Sequence, residues 1–198
     1  MNDLKRTADI KRKTGETDIT LSLDLDGTGK YKIETECGFM KHMLELFARH
    51  GRFDIELKCS GDSEVDFHHT VEDMGIALGQ AFSRALGDKK GITRYGNMML
   101  PMDEALVLTS LDISGRMSVN YRAYLEPTVG VFDTELVEEF ITAFAREAGL
   151  TIHVVQLAGT NTHHIIEAVF KGMARALAKA VAIDERFADE IPSTKGVL

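Results

Sequence analysis

The sequence predicts an α+β fold built by internal duplication: two two-layer halves, each a mixed sheet carrying two helices on one face. Three observations predict it. The motif His-His-x-x-Glu occurs twice, as His68-His69-Thr70-Val71-Glu72 and His163-His164-Ile165-Ile166-Glu167, 95 residues apart in a chain of 198. Glu16, Asp24 and Gly27 fall 88 residues before Glu104, Asp112 and Gly115. The order strand, strand, helix, strand, helix can be read once in each half.

The first half begins with Asp18–Leu25, which alternates polar and apolar as a half-buried strand does. Asp26-Gly27-Thr28-Gly29 is a hairpin turn signal, and residues 30–34 follow as the second strand. Phe39 to His50 carries apolar residues at 39, 40, 43, 44 and 47, a helical stripe that Gly51 ends. Asp54 to Ser60 is the next strand, Gly61-Asp62-Ser63 a polar loop, and the first His-His motif opens the closing helix. The second half repeats this order. It has strands at 104–113 and 118–125 about the turn Ser114-Gly115, and a helix at 134–148 stopped by Gly149. A strand at 151–158, the loop Gly159-Thr160-Asn161 and the second motif complete it. Residues 1–92 are thus read as one half, 93–182 as the other and 183–198 as a C-terminal tail. The halves are expected to pack helix layer on helix layer.

Composition narrows the function. A net charge of −8 opposes a nucleic-acid surface, which needs a basic stripe. Two cysteines, Cys37 and Cys59, give no disulfide framework and read as small buried hydrophobes. The start Met1-Asn2-Asp3-Leu4-Lys5-Arg6 is polar, and no apolar run reaches membrane-span length. The expectation is a cytoplasmic protein without a membrane or nucleic-acid partner.

The motifs hold four of the seven histidines. Imidazole and carboxylate at helical spacing is a metal-ligand pattern. Residues four apart share a helix face, while adjacent residues point about 100° apart. His68 and Glu72 can therefore bind one ion together, as can His163 and Glu167, and the second histidine of each pair is aimed elsewhere. A pseudo-symmetric division follows as one expectation, with His164 joining His68 and Glu72, and His69 joining His163 and Glu167.

Nearly the whole chain resembles the imidazoleglycerol-phosphate dehydratase family. The resemblance rests on Arg12 to Thr17, Gly38-Phe39-Met40-Lys41-His42-Met43, Gly61-Asp62, both His-His motifs, Arg94-Tyr95-Gly96 and Pro101-Met102-Asp103-Glu104-Ala105. It continues through Ser114-Gly115-Arg116, Phe170-Lys171 and Pro192-Ser193-Thr194-Lys195-Gly196. It implies a duplicated fold like the second domain of ribosomal protein S5, a cubic homo-oligomer of 24 subunits, and sites with two Mn²⁺ ions where subunits meet. The ligands it implies are His42, His68, His69, Glu72, His153, His163, His164 and Glu167. Glu16 is implied as acid/base, with Glu72 and Glu167 as further catalytic carboxylates. Arg94, Arg116, Lys171, Ser193 and Lys195 are implied for the substrate phosphate, so the tail would contribute to the site. Taken alone, His153 reads as a solvent-facing strand histidine. His50, beside Gly51 at a helix C-terminus, reads as a place where partial positive charge suits the dipole.

The chain departs from the family pattern at Lys41, where Asp is usual, at Glu36, where Gly is usual, and at Phe67, where Asp is usual. An Asp beside a ligating histidine can orient it; Lys41 brings the opposite charge.

The implied reaction is loss of water from imidazole glycerol phosphate to give imidazole acetol phosphate. The proton to be lost sits on a carbon with no adjacent carbonyl, and the leaving hydroxyl is next to the ring. A ring deprotonated to imidazolate can expel that hydroxide, after which the neighbouring C–H becomes removable. Two ions, one at each ring nitrogen, stabilise such an anion as Lewis acids. The residues leave two other readings open, a dinuclear hydrolase and a metal-storage assembly. Binding of triazoles and of phosphate esters separates these. An RNA-binding module rests on the S5-like fold alone.

Overall fold

A computed structural model describes residues 5–198; the first four residues of the polar N-terminus lie outside the described residues. The first half contains β1 (Thr7–Lys13), β2 (Thr17–Asp24), β3 (Tyr31–Glu34), α1 (Gly38–Gly51), β4 (Asp54–Gly61) and α2 (His68–Leu86). The second contains β5 (Tyr95–Met102), β6 (Ala105–Asp112), β7 (Ser118–Arg122), α3 (Leu136–Ala148), β10 (Thr151–Ala158) and α4 (Thr162–Val181). A small pair, β8 (Thr128–Val129) and β9 (Phe132–Asp133), precedes α3. The two sheets have the same order, β1-β2-β4-β3 and β5-β6-β10-β7, with one parallel pair each. Duplication into mixed sheets with helices is therefore visible strand by strand.

Two expectations need correction. Each half has an additional first strand, β1 or β5, that the sequence reading lacked. The second correction concerns pairing. Asp26-Gly27-Thr28-Gly29 does not close a hairpin: β3 pairs in parallel with β4, which lies between it and β2. Asp54 explains the path. Its Oδ1 accepts the backbone N–H groups of Thr28 (2.7 Å) and Lys30 (2.8 Å), which draws the loop around the start of β4. The true hairpins are β1–β2 and β5–β6, and their turns carry Glu16 and Glu104.

The strands obey the pleat. On β2, Ile19, Leu21 and Leu23 are buried while Asp18, Thr20 and Ser22 face out. The helices cover the inner faces and pack on each other, α1 against α4 and α2 against α3. On α2, a Cβ at Gly75 would meet the Phe140 carbonyl oxygen at 2.7 Å, and one at Gly79 the Phe144 carbonyl oxygen at 2.7 Å. Only glycine permits that approach. Phe47 and Phe82 of the first half and Phe144 of the second stack edge to face at 5.3 to 6.2 Å, so the halves share one core.

Cys37 and Cys59 are free and buried, as expected. Burial pushes the Cys59 thiol up to about 12. Among the described residues no helix is long and apolar enough to cross a membrane.

Candidate metal and active site

The helix spacing of the second motif does what 3.6 residues per turn requires. His163 Nε2 stands 3.1 Å from Glu167 Oε1 on one face of α4. The packing of α1 on α4 brings His42 Nε2 to 3.1 Å from the same oxygen. These three donors lie within 4.8 Å of one another. Lys171, one turn on, donates from Nζ to Glu167 Oε2 at 2.5 Å. Burial raises the Glu167 carboxyl, but Lys171, His42 and His163 outweigh it and draw it down to about 2. Glu167 is thus a carboxylate ready to meet a cation. Two imidazoles and a carboxylate fit a first-row divalent ion.

The second histidine of each pair points elsewhere. His164 Nδ1 is 2.7 Å from Glu104 Oε2, and its Nε2 is 3.7 Å from Asp103. Glu104 also accepts the backbone N–H groups of Asn161 (2.9 Å) and Thr160 (3.4 Å). The His164 hydrogen bond first, then that of Asn161, lowers its carboxyl to about 2. In the first half, His69 Nδ1 is 2.9 Å from Asp62 Oδ2, and its Nε2 is 3.8 Å from Glu16 Oε1. The hydrogen bonds that His69 donates to Asp62 and His164 to Glu104 hold both imidazoles above their ordinary range.

The other motif residues are more open. Glu72 takes an ion pair from Arg146 at 3.4 Å. The His68 ring lies 6.2 Å from that of His69. Within the chain, the third member beside His163 and Glu167 is His42, while His69 sits with Asp62 and Glu16. His153 is exposed on β10, opposite Ser110 of β6.

The phosphate candidates gather around the tail, apart from Lys171. Arg94 grips Asp112 through Nε (2.7 Å) and a terminal nitrogen (3.1 Å), and its other terminal nitrogen donates to the Pro192 carbonyl at 2.8 Å. It thereby anchors the segment that carries Ser193 and Lys195, where Ser193 Oγ accepts the Lys195 N–H at 3.2 Å. Arg116 lies beside Gly115, against which Leu198 packs, and donates to the Ser114 carbonyl at 3.2 Å. Lys171 touches Met102 Sδ at 3.3 Å in addition to Glu167.

The departures have distinct surroundings. Lys41 is half-buried on α1, and its side chain makes no hydrogen bond among the described residues. Glu36 accepts from Ser60 at 3.4 Å. Phe67 packs on the core, and Asp66 supplies the acceptor for the His68 N–H at 2.7 Å. His50 corrects its expectation. Burial first, then Lys171 and Arg175, lowers its imidazole from the ordinary value and so works against a positive charge at this helix end.

Sequence reasoning assigned no role to Asp62, Glu104 or Asp66. The usable signal was present for Glu104, whose spacing from Glu16 matches the repeat.

Comparison with known proteins gives a consistent answer. A family model described as imidazoleglycerol-phosphate dehydratase matches residues 35–177. An imidazoleglycerol-phosphate dehydratase of Methylorubrum populi is 60% identical over 98% of this chain and 100% of its own length. One of Xanthobacter autotrophicus is 58% identical over 98% of each chain. The Staphylococcus aureus dehydratase structure superposes with a TM-score of 0.81 at 40% identity, covering 90% of this chain and 99% of that one. The Pyrococcus furiosus structure, solved in complex with (S)-C348, gives 0.83 at 39%, covering 96% and 100%. By sequence over nearly its full length, and by fold, this chain belongs to the imidazoleglycerol-phosphate dehydratase family, a family of hydro-lyases.

Proposed function

We propose that the chain removes water from imidazole glycerol phosphate to give imidazole acetol phosphate in histidine biosynthesis, at a two-manganese site shared between copies. Family membership supports the reaction. The observation that carries the site is the convergence of His42, His163 and Glu167.

The donors that would hold the two cations are His42, His68, His69, Glu72, His153, His163, His164 and Glu167. When bound there, the ions supply Lewis-acid charge that favours the substrate ring in its anionic form. The chain's own residues do the rest. Glu16, free of hydrogen bonds at its carboxylate among the described residues, takes the proton from the carbon adjacent to the one that bears the departing hydroxyl. The C–H and C–O bonds break, water leaves, and the enol formed becomes the ketone. Glu72 and Glu167 hold negative charge at the helix starts. Arg94, Arg116, Lys171, Ser193 and Lys195 bind the phosphate, arginine through its planar fork.

Distances within one chain support a shared site. His164 stands by Glu104, just before β6, whereas His153 lies opposite Ser110 near its far end. Ala105 to Ser110 spans about 16 Å at the rise of a strand. Arg116 and the tail sit at the His153 end, since Thr151 Oγ1 donates to the Arg116 carbonyl at 3.4 Å. That separation favours drawing the two ends of a compact two-ion site from different copies. The outer sheet faces agree. The first is polar, with Asp18, Thr20, Ser22, Glu56 and Lys58 facing out. The second exposes Tyr95 and Met99 at 54% each and Leu157 at 48%. That apolar face, which includes His153, suits burial against another copy in the cubic homo-oligomer.

The test is turnover of imidazole glycerol phosphate by purified protein, followed as ketone formation. Activity is expected to vanish with chelator and return with Mn²⁺. Absence of turnover with any divalent ion contradicts the proposal.

A further inference from the structure

The second histidine of each His-His pair meets a carboxylate through Nδ1, but the two carboxylates come from different places in the repeat. For His69 it is Asp62, on the loop after β4, at 2.9 Å. For His164 it is Glu104, on the β5–β6 turn, at 2.7 Å. The loops after β4 and β10 correspond, as Gly61-Asp62 and Gly159-Thr160, so Thr160 stands where Asp62 stands. The hairpin turns correspond too, and there Glu16 stands where Glu104 stands. The roles have been exchanged. In the second half the loop offers no carboxylate, and Glu104 turns onto Nδ1, held by the N–H groups of Asn161 and Thr160. In the first half Asp62 occupies Nδ1, and Glu16 lies 3.8 Å away on the Nε2 side of the ring.

An ionised carboxylate has no proton to give, so each imidazole must donate from Nδ1. That leaves the lone pair on Nε2, the atom able to bind a cation. We propose that Asp62 and Glu104 are positioning residues that fix His69 and His164 as Nδ1–H tautomers with Nε2 free for metal, and that Asp62, by taking this task in the first half, releases Glu16 for proton transfer. The proposal deepens the two-metal reading above and rests on it for the identity of the Nε2 partner.

Two measurements test it. Neutron diffraction from crystals of the metal-free full chain, at alkaline pH where the imidazoles are neutral, locates the deuterons. The expected result is a deuteron on Nδ1 and none on Nε2 of both His69 and His164; a deuteron on Nε2 of either overturns the assignment. Calorimetric titration with Mn²⁺ then compares three proteins. Glu104→Ala is expected to weaken binding about 10–100-fold, the usual cost of losing an outer-shell partner. Adding Thr160→Asp to Glu104→Ala transplants the first half's arrangement and is expected to recover most of the loss. Unchanged affinity in Glu104→Ala, or a folded double variant with no recovery, overturns the exchange of roles. A parent protein that binds no Mn²⁺ would sink the metal reading, while the deuteron positions would still decide the tautomer.

Discussion

His42 and Glu167 are 125 positions apart in the chain, yet His42 Nε2 rests 3.1 Å from Glu167 Oε1. The contact joins a helix of the first half to a helix of the second. It gives the His163–Glu167 pair a third donor that its own motif does not contain. His42→Ala is therefore expected to weaken Mn²⁺ binding by more than the roughly 10–100-fold typical of outer-shell losses, because the proposed site counts His42 as a direct ligand. Far-UV circular dichroism should be unchanged, since the His42 ring is part-exposed and outside the core. Manganese affinity equal to the parent's would exclude His42 from the ligand set.

Glu16→Gln separates chemistry from binding. The side chain is outside the ligand set, at a hairpin turn, and exposed. Gln keeps the shape and cannot take a proton. Turnover should fall by about 10²–10⁴-fold with substrate binding and metal content kept. A rate within a few-fold of the parent would remove Glu16 from the mechanism.

Lys41 adjoins His42 and has no side-chain hydrogen bond among the described residues that would be lost on substitution. Lys41→Asp reverses the charge beside the proposed cation site and should tighten Mn²⁺ binding about tenfold, at the low end of outer-shell effects. Unchanged or weaker affinity would show that Lys41 is neutral there.

The repeat was legible because its marks are local. The His-His-x-x-Glu pairs, the apolar stripes of α1 and α3 and the alternation of β2 all lie within a few residues. β1 was not legible: Asp9, Lys11, Arg12 and Lys13 leave only Ala8 and Ile10 to point inward. The pairing of β3 was misread because a turn signal states that the chain bends, not which strand it then joins. The approach of His42 to Glu167 depends on a contact across the sequence that no spacing rule reaches, whereas the repeat spacing marks Glu104 without showing that it turns onto His164. Arg94 was read for phosphate, and its visible work, clamping Pro192 to Asp112, depends on where the tail returns.

The thiols give a pH prediction. Burial raises the Cys59 thiol from its ordinary value to about 12. A group whose pKa rises on folding favours the folded state below its unfolded value and loses that contribution as pH climbs through the folded one. Stability should therefore decline between about pH 9 and 12 more steeply in the parent than in Cys59→Ala, after allowance for the offset between them. Denaturant melts across that window check it; parallel curves would contradict it.

The central claim is that each site is completed by a neighbouring copy, and subunit mixing tests it most directly. His153→Ala and His163→Ala remove donors from opposite ends of the second half, and each variant alone should be inactive. Unfolded together and reassembled with Mn²⁺, they should regain activity, because some sites then take an intact His153 from one copy and an intact His163 from another. A mixed assembly as inactive as its parents, though correctly folded and containing both chains, would contradict a shared site.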